Sequence, residues 1–87
     1  MSVKVEFENE RVRVSRVRHS SHERLPLATR ADRVIVYLDD GEVTREEGGE
    51  TRTLVRKRGE VVWRPRSTHV IENTRQDAHE VLIIELK

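Results

Sequence analysis

Val3, Val5 and Phe7 alternate with Lys4, Glu6 and Glu8, the period of two that marks a strand with one face buried. Arg11-Val-Arg-Val14 alternates in the same way, but Val17 falls out of phase, which predicts a bulge near Ser15 and Arg16. Val34-Ile-Val-Tyr-Leu38 is continuously apolar, as expected of a strand covered on both faces, and Asp39-Asp-Gly41 ends it with turn residues. Val43–Glu46 and Thr51–Arg56 flank Glu47-Gly-Gly-Glu50, a hairpin tip where glycine takes positive φ without steric cost. Lys57-Arg-Gly59 is a second tight turn. Glu60–Arg64, His69–Asn73 and Glu80–Leu86 bring the set to about eight short strands. No stretch has the 3.6-residue period of a capped helix, and the thirteen valines suit a pleated surface. The pattern predicts an all-β antiparallel sandwich or barrel, with residues 1–87 forming one domain.

Composition narrows the partners. No apolar run approaches the roughly 20 residues of a spanning helix, and the opening MSVKVEFENE has no apolar core of a secretory signal. A cytoplasmic location without membrane contact is therefore expected. There are no cysteines, which excludes disulfides, thiol nucleophiles and thiolate metal sites. The 17 basic and 16 acidic residues nearly cancel, so no overall basic field exists for nucleic acid. Only Phe7, Tyr37 and Trp63 are aromatic, too few for a base-stacking platform. Residues 11–33 carry seven arginines against Glu23 and Asp32, whereas residues 39–50 hold six carboxylates. A basic strand face made by Arg11, Arg13, Arg16 and Arg18 could thus meet the acidic hairpin of a second copy. A homodimer is expected on size alone, since a domain this small buries little more than about 60% of its unfolded surface.

Two segments together resemble a small cupin, a β-barrel of jelly-roll type. Gly59-Glu-Val-Val-Trp-Arg-Pro65, Ser67, His69 and Asn73 are similar to the second cupin motif. In that motif a Gly is followed after five residues by Pro, then by Gly, His and later Asn. Gly59, Pro65, His69 and Asn73 match it, Ser67 replaces the second Gly, and the Pro-to-His spacing is one residue short of the commonest form. Pro26 to Gly41 resembles the first motif, and Glu8–Val14 and Glu80–Leu86 resemble the first and last strands. The resemblance implies a divalent ion held by a His-x-His pair, a Glu and the second-motif His. In register, Ala28 and Arg30 stand at the two His positions, Val34 or Ile35 at the Glu, and only His69 remains.

One imidazole is not a metal site, because protein sites use three or four donors. Near a fixed guanidinium, a dication about 4 Å away is opposed by roughly 8 kcal/mol at an effective dielectric of 20. The first expectation is therefore a barrel without a metal cofactor that binds a small anionic or carbonyl-bearing ligand. Arg30 would clamp the anion, His69 would act as hydrogen-bond partner or general base, and Arg64 or Trp63 would line the mouth. Arg30 could equally start its strand pointing to water. The alternative is a metal-dependent isomerase or dioxygenase in which His19, His22 and His69 converge on zinc, iron or manganese. Against it, Ser20, Ser21 and Arg24 give the His19–Glu23 segment the look of a solvated loop. A third reading is a non-catalytic dimeric interaction or sensory module. His79 is expected at the surface, ahead of the last strand. Gly48-Gly49 is a turn rather than a phosphate loop, since no Lys-Ser/Thr and no helix follow it.

Overall fold

The structure is a computed structural model that describes all 87 residues. Nine strands follow in order: β1 (Ser2–Glu8), β2 (Val12–His19), β3 (Arg24–Arg30), β4 (Arg33–Tyr37), β5 (Gly41–Glu47), β6 (Glu50–Arg56), β7 (Val61–Arg64), β8 (Ser67–Asn73) and β9 (His79–Leu86). They form two antiparallel sheets, β1-β2-β9-β4-β7 and β3-β8-β5-β6, the two layers of a jelly-roll sandwich. There is no helix, and so none long and apolar enough to cross a membrane.

The ninth strand, β3, is the one the hydrophobic pattern hides. Its alternation is broken at Pro26, and proline cannot donate to a ladder, so it is tolerated only at an edge or a bulge. Both apply here. β3 pairs only with β8, and the register shifts between Leu25 and Ala28, leaving Leu27 in solvent. The bulge expected in β2 lies instead in its neighbour: β1 shifts register between Val5 and Phe7, while β2 runs unbroken against β9 from Val12–Leu86 to His19–His79. The phase change in β2 reflects apolar residues on both of its faces.

Inward positions of β2, β4 and β9 supply Val17, Tyr37 and Val81, the buried centre of the core, with Ile35, Val62 and Ile83 packed around it. The outward positions form a second apolar row. Phe7, Val14, Ile84, Val34 and Trp63 are consecutive register partners across all five strands of the larger sheet. Residues opposite each other in a sheet project to the same side, so this row lies on the outer face. Val34 and Val36 are accordingly half-buried rather than sealed on both sides, as the apolar run had suggested.

The arginines of β2 find carboxylates within the chain. Arg16 pairs with Glu6 and Glu80, Arg18 with Glu80, and Arg13 with Glu8. On the smaller sheet, Arg24 bridges Glu46 and Glu72. Gly48 and Gly49 at the β5–β6 tip have φ of 59° and 80°, as the Gly-Gly pair requires.

Candidate functional site

Inward side chains of both sheets leave a cavity of about 220 Å³ between them. Its walls are mostly aliphatic: Val3, Val5, Val17, Ile35, Val81 and Ile83 come from the larger sheet, and Leu25, Val43 and Ile71 from the smaller. Polar groups gather at the two ends. Arg30, Arg33, His69 and Glu85 lie toward one, His19 and His79 toward the other.

The arginine end follows from strand parity. Arg33 is in phase with Ile35 and Tyr37 on β4, so it must point inward with them. It is 3% exposed. Its Nη1 donates to the carbonyls of Ala31 (3.0 Å) and Pro65 (3.4 Å), and its Nη2 to Ser67 Oγ (3.5 Å). No carboxylate lies within ion-pairing distance of Arg33 or of Arg30. Burial, and then the positive charges of Arg64, Arg30 and Arg45, push the Arg33 guanidinium below its ordinary value. A buried cation without a counter-charge is costly unless something supplies one.

Arg30 faces inward as well. On β3 it is the register partner of Ser67, and Ala28 is the partner of His69. His69 is 2% exposed, and its Nδ1 lies 3.1 Å from Ser67 Oγ. Ser67 Oγ accepts from Arg33, which leaves the hydroxyl proton free to be donated to Nδ1. The imidazole proton then sits on Nε2. Burial, aided by Arg33, Arg30 and Arg45, lowers the His69 pKa to about 4. His69 is thus a neutral N–H donor at neutral pH. A base this weak is poorly matched to proton abstraction near pH 7.

Arg64 also projects inward, as the β7 partner of Arg33, but it turns to Glu47 (3.0 Å) outside the main cavity. Trp63, one position away, must point to the opposite side. It is 54% exposed in the outer apolar row, and it does not line the mouth.

The three histidines proposed as metal ligands are not brought together. His19 and His69 both line the cavity, but His22 is exposed in the turn after β2 with φ of 55°. No three His, Cys, Asp or Glu side chains anywhere converge as a set that could hold a metal ion. At the arginine end Arg30 and Arg33 oppose a dication, and His69 and Glu85 are the only side chains there that could ligate one. A divalent ion does not fit these residues.

His79, expected at the surface, is buried against His19, with ring centroids 5.3 Å apart in an edge-to-face arrangement. As the first residue of β9 it keeps the inward phase of Val81 and Ile83, which a place near a strand end does not reveal. His19 Nε2 donates to the carbonyl of Glu23 (2.9 Å), whereas His79 Nδ1 is buried without a partner. Burial lowers the pKa of both. Arg33 is the other residue that the motif comparison passes over. Its phase with Ile35 and Tyr37 was the available signal.

Asn73, the last residue of the second motif, is fully buried and holds loops rather than ligand. Its Nδ2 donates to the carbonyls of His19 (3.3 Å), Ser20 (3.0 Å) and Asp77 (3.0 Å), and its Oδ1 accepts from the Arg75 N–H (3.0 Å).

No protein-family model matches the chain, and no curated protein is significantly similar to it. Solved structures are similar. A cupin domain from Bordetella pertussis Tohama I superposes with a TM-score of 0.91 at 25% identity, covering 99% of this chain and 92% of that one. An RmlC-like cupin family protein with a double-stranded β-helix fold from Methanocaldococcus jannaschii gives 0.76 at 19% identity, over 98% and 78% of the two chains. A cupin superfamily protein from Desulfitobacterium hafniense DCB-2 gives 0.73 at 18% identity, over 98% and 75%.

Proposed function

We propose that this chain, which has the fold of a small cupin domain, binds a small carboxylate with an apolar body in the cavity between its sheets. The observation that carries this reading is the buried Arg33 guanidinium, which has no carboxylate partner. The ligand's head would face Arg30, Arg33 and the neutral Nε2–H of His69, and its tail would lie along Val17, Ile35, Val81 and Ile83. A cavity of about 220 Å³ has room for roughly seven waters at about 30 Å³ each, a volume suited to a short aliphatic acid.

Calorimetric titration with acetate, hexanoate and octanoate tests it. Affinity should rise by about fourfold per methylene until the cavity is filled, since each buried methylene contributes about 0.8 kcal/mol. Arg30→Ala should weaken octanoate at least about tenfold, the scale of a lost charge-assisted hydrogen bond. Arg30 suits the test because it has no ion pair within the chain to lose. Equal affinity for acetate and octanoate, or an Arg30→Ala protein that binds as the parent does, refutes the reading.

Self-association is a second reading with its own support. The outer row of Phe7, Val14, Ile84, Val34 and Trp63 leaves Phe7 and Trp63 more than half exposed, a contiguous apolar stripe of the kind that marks a contact surface. The basic strand has less to offer a second copy, because Arg13, Arg16 and Arg18 are matched by Glu6, Glu8 and Glu80 within the chain. Trp63→Glu should convert a homodimer to a monomer in sedimentation equilibrium, and Arg18→Glu should not. A parent protein that sediments as a monomer at 100 µM-scale concentration, on the order of a weak dimer's dissociation constant, removes this reading.

A further inference from the structure

Outside the main cavity, inward positions of β5, β6 and β7 form a second recess of about 250 Å³ lined by Arg45, Glu47, Glu50, Arg52 and Arg64, with no hydrophobic residue among them. We propose that this recess is a binding site for a phosphate group, and that Glu47 occupies it as an internal stand-in until the phosphate arrives.

The donor count argues for it. A guanidinium carries five N–H groups. Arg45 and Arg64 both turn to a single oxygen, Glu47 Oε1, at 3.6 and 3.0 Å. Arg64 Nε is buried with no partner at all. Arg52 is held only by Glu50, its near neighbour on the hairpin, at 3.2 Å. Three forks therefore share two carboxylates, and most of their N–H groups have no acceptor within the chain. A phosphate offers more acceptor oxygens than a carboxylate and matches guanidinium forks in geometry.

The recess opens to solvent at Glu50 and Arg52, whose side chains are exposed, but its floor is withdrawn from water. The side chains of Arg45 and Arg64 are 12% and 18% exposed, and burial, with Arg64 next, lowers the Arg45 guanidinium below its ordinary value. β5 and β6 set Arg45 opposite Arg52, and β4 and β7 set Arg33 opposite Arg64. These pairings set like charges opposite each other, which is unfavourable, and Glu47 and Glu50, themselves register partners, leave the three arginines of the recess one negative charge short.

The site is separate from the carboxylate cavity, and the experiment keeps the two apart. Inorganic phosphate and glycerol phosphate are titrated into the parent protein, Arg45→Gln, Arg64→Gln and Glu47→Gln, with octanoate titrated in parallel. The parent should bind phosphate, Arg45→Gln and Arg64→Gln should each lose it by about tenfold or more, and Glu47→Gln should tighten it by about tenfold through removal of the competing charge. Octanoate binding unchanged in Arg64→Gln shows that the variant is folded and that the sites are distinct; should octanoate not bind the parent, far-UV circular dichroism serves as the folding check. Tighter binding of the ester than of free phosphate identifies a phosphorylated small molecule as the source, and the reverse identifies free phosphate. The proposal is overturned by a parent that binds neither. It is likewise overturned by phosphate binding that survives Arg45→Gln and Arg64→Gln, or that octanoate displaces one for one.

Discussion

Asn73→Ala should lower the unfolding free energy by about 3 kcal/mol, and Asn73→Asp should lower it further. The side chain is fully buried and both ends of its amide are engaged: the two N–H groups of Nδ2 are shared among three carbonyls, and one backbone N–H donates to Oδ1. Its own backbone N–H reaches the Glu23 carbonyl at 3.0 Å. One residue thus ties the turn after β2 to the loop before β9. Removing the amide leaves several buried groups without partners, at about 1–3 kcal/mol for each that water cannot reach. Alanine lets water enter the space. Aspartate does not, and it sets a carboxylate against the carbonyls of His19, Ser20 and Asp77, so the less conservative-looking change in volume is the milder one. In a domain of this size 1 kcal/mol moves the melting temperature by about 4–8 °C, so the alanine variant should melt more than about 12 °C below the parent. Urea unfolding gives the free energies directly. An alanine variant within 1 kcal/mol of the parent, below the scale of a single such loss, or an aspartate variant more stable than the alanine one, would falsify this account of Asn73.

The fold was legible because alternation and turns are local. Gly48-Gly49, Asp39-Asp-Gly41 and the valine runs each specify their own few residues, and eight of the nine strands could be read from them. β3 could not, because Pro26 breaks its phase and only the neighbouring β8 makes the segment a strand. The site was harder to read, since a motif names positions while parity decides direction. Arg30 and His69 were found through the motif, and both line the cavity. Trp63 lies within the motif, which suggests the mouth, yet it shares the outward phase of Val61. Arg33 carries more of the site's chemistry than either neighbour and belongs to no motif. Its role depends on forming no ion pair although Glu85 is its register partner on β9, a fact of side-chain direction that no single strand records. The burial of His79 is hidden in the sequence for a related reason: only the pairing of β2 with β9 puts its ring beside His19.

Acid should destabilise the protein well before its carboxylates titrate. His69 has a folded-state pKa of about 4 against 6.5 for an unperturbed histidine, chiefly because it is buried and then because Arg33 and Arg30 face it. Between those values the unfolded chain holds a proton that the folded chain does not, so stability rises with pH across the window. The contribution is complete above about pH 6.5 and disappears as pH falls toward 4. At about 1.4 kcal/mol per pH unit, it amounts to roughly 3 kcal/mol. His19 and His79, also lowered by burial, act in the same direction. The lowered carboxyls of Glu8, Glu23 and Asp40 lose their contribution only at lower pH, so the first part of the acid limb belongs to the histidines. Urea midpoints at pH 7.5 and 4.5 should show the loss in the parent, and His69→Gln should show less of it even if it starts from a lower stability. The His69 ring resonances should stay at their neutral positions down to about pH 5. A parallel loss in parent and variant, or a His69 resonance that titrates near 6.5, would mean that the ring is solvated. A bound carboxylate offers a further check, because an anion facing Nε2 favours the charged ring. Octanoate should raise the His69 pKa and take up protons on binding below pH 6. The arginines that add to burial in keeping the imidazole neutral would then be partly compensated by the ligand they attract.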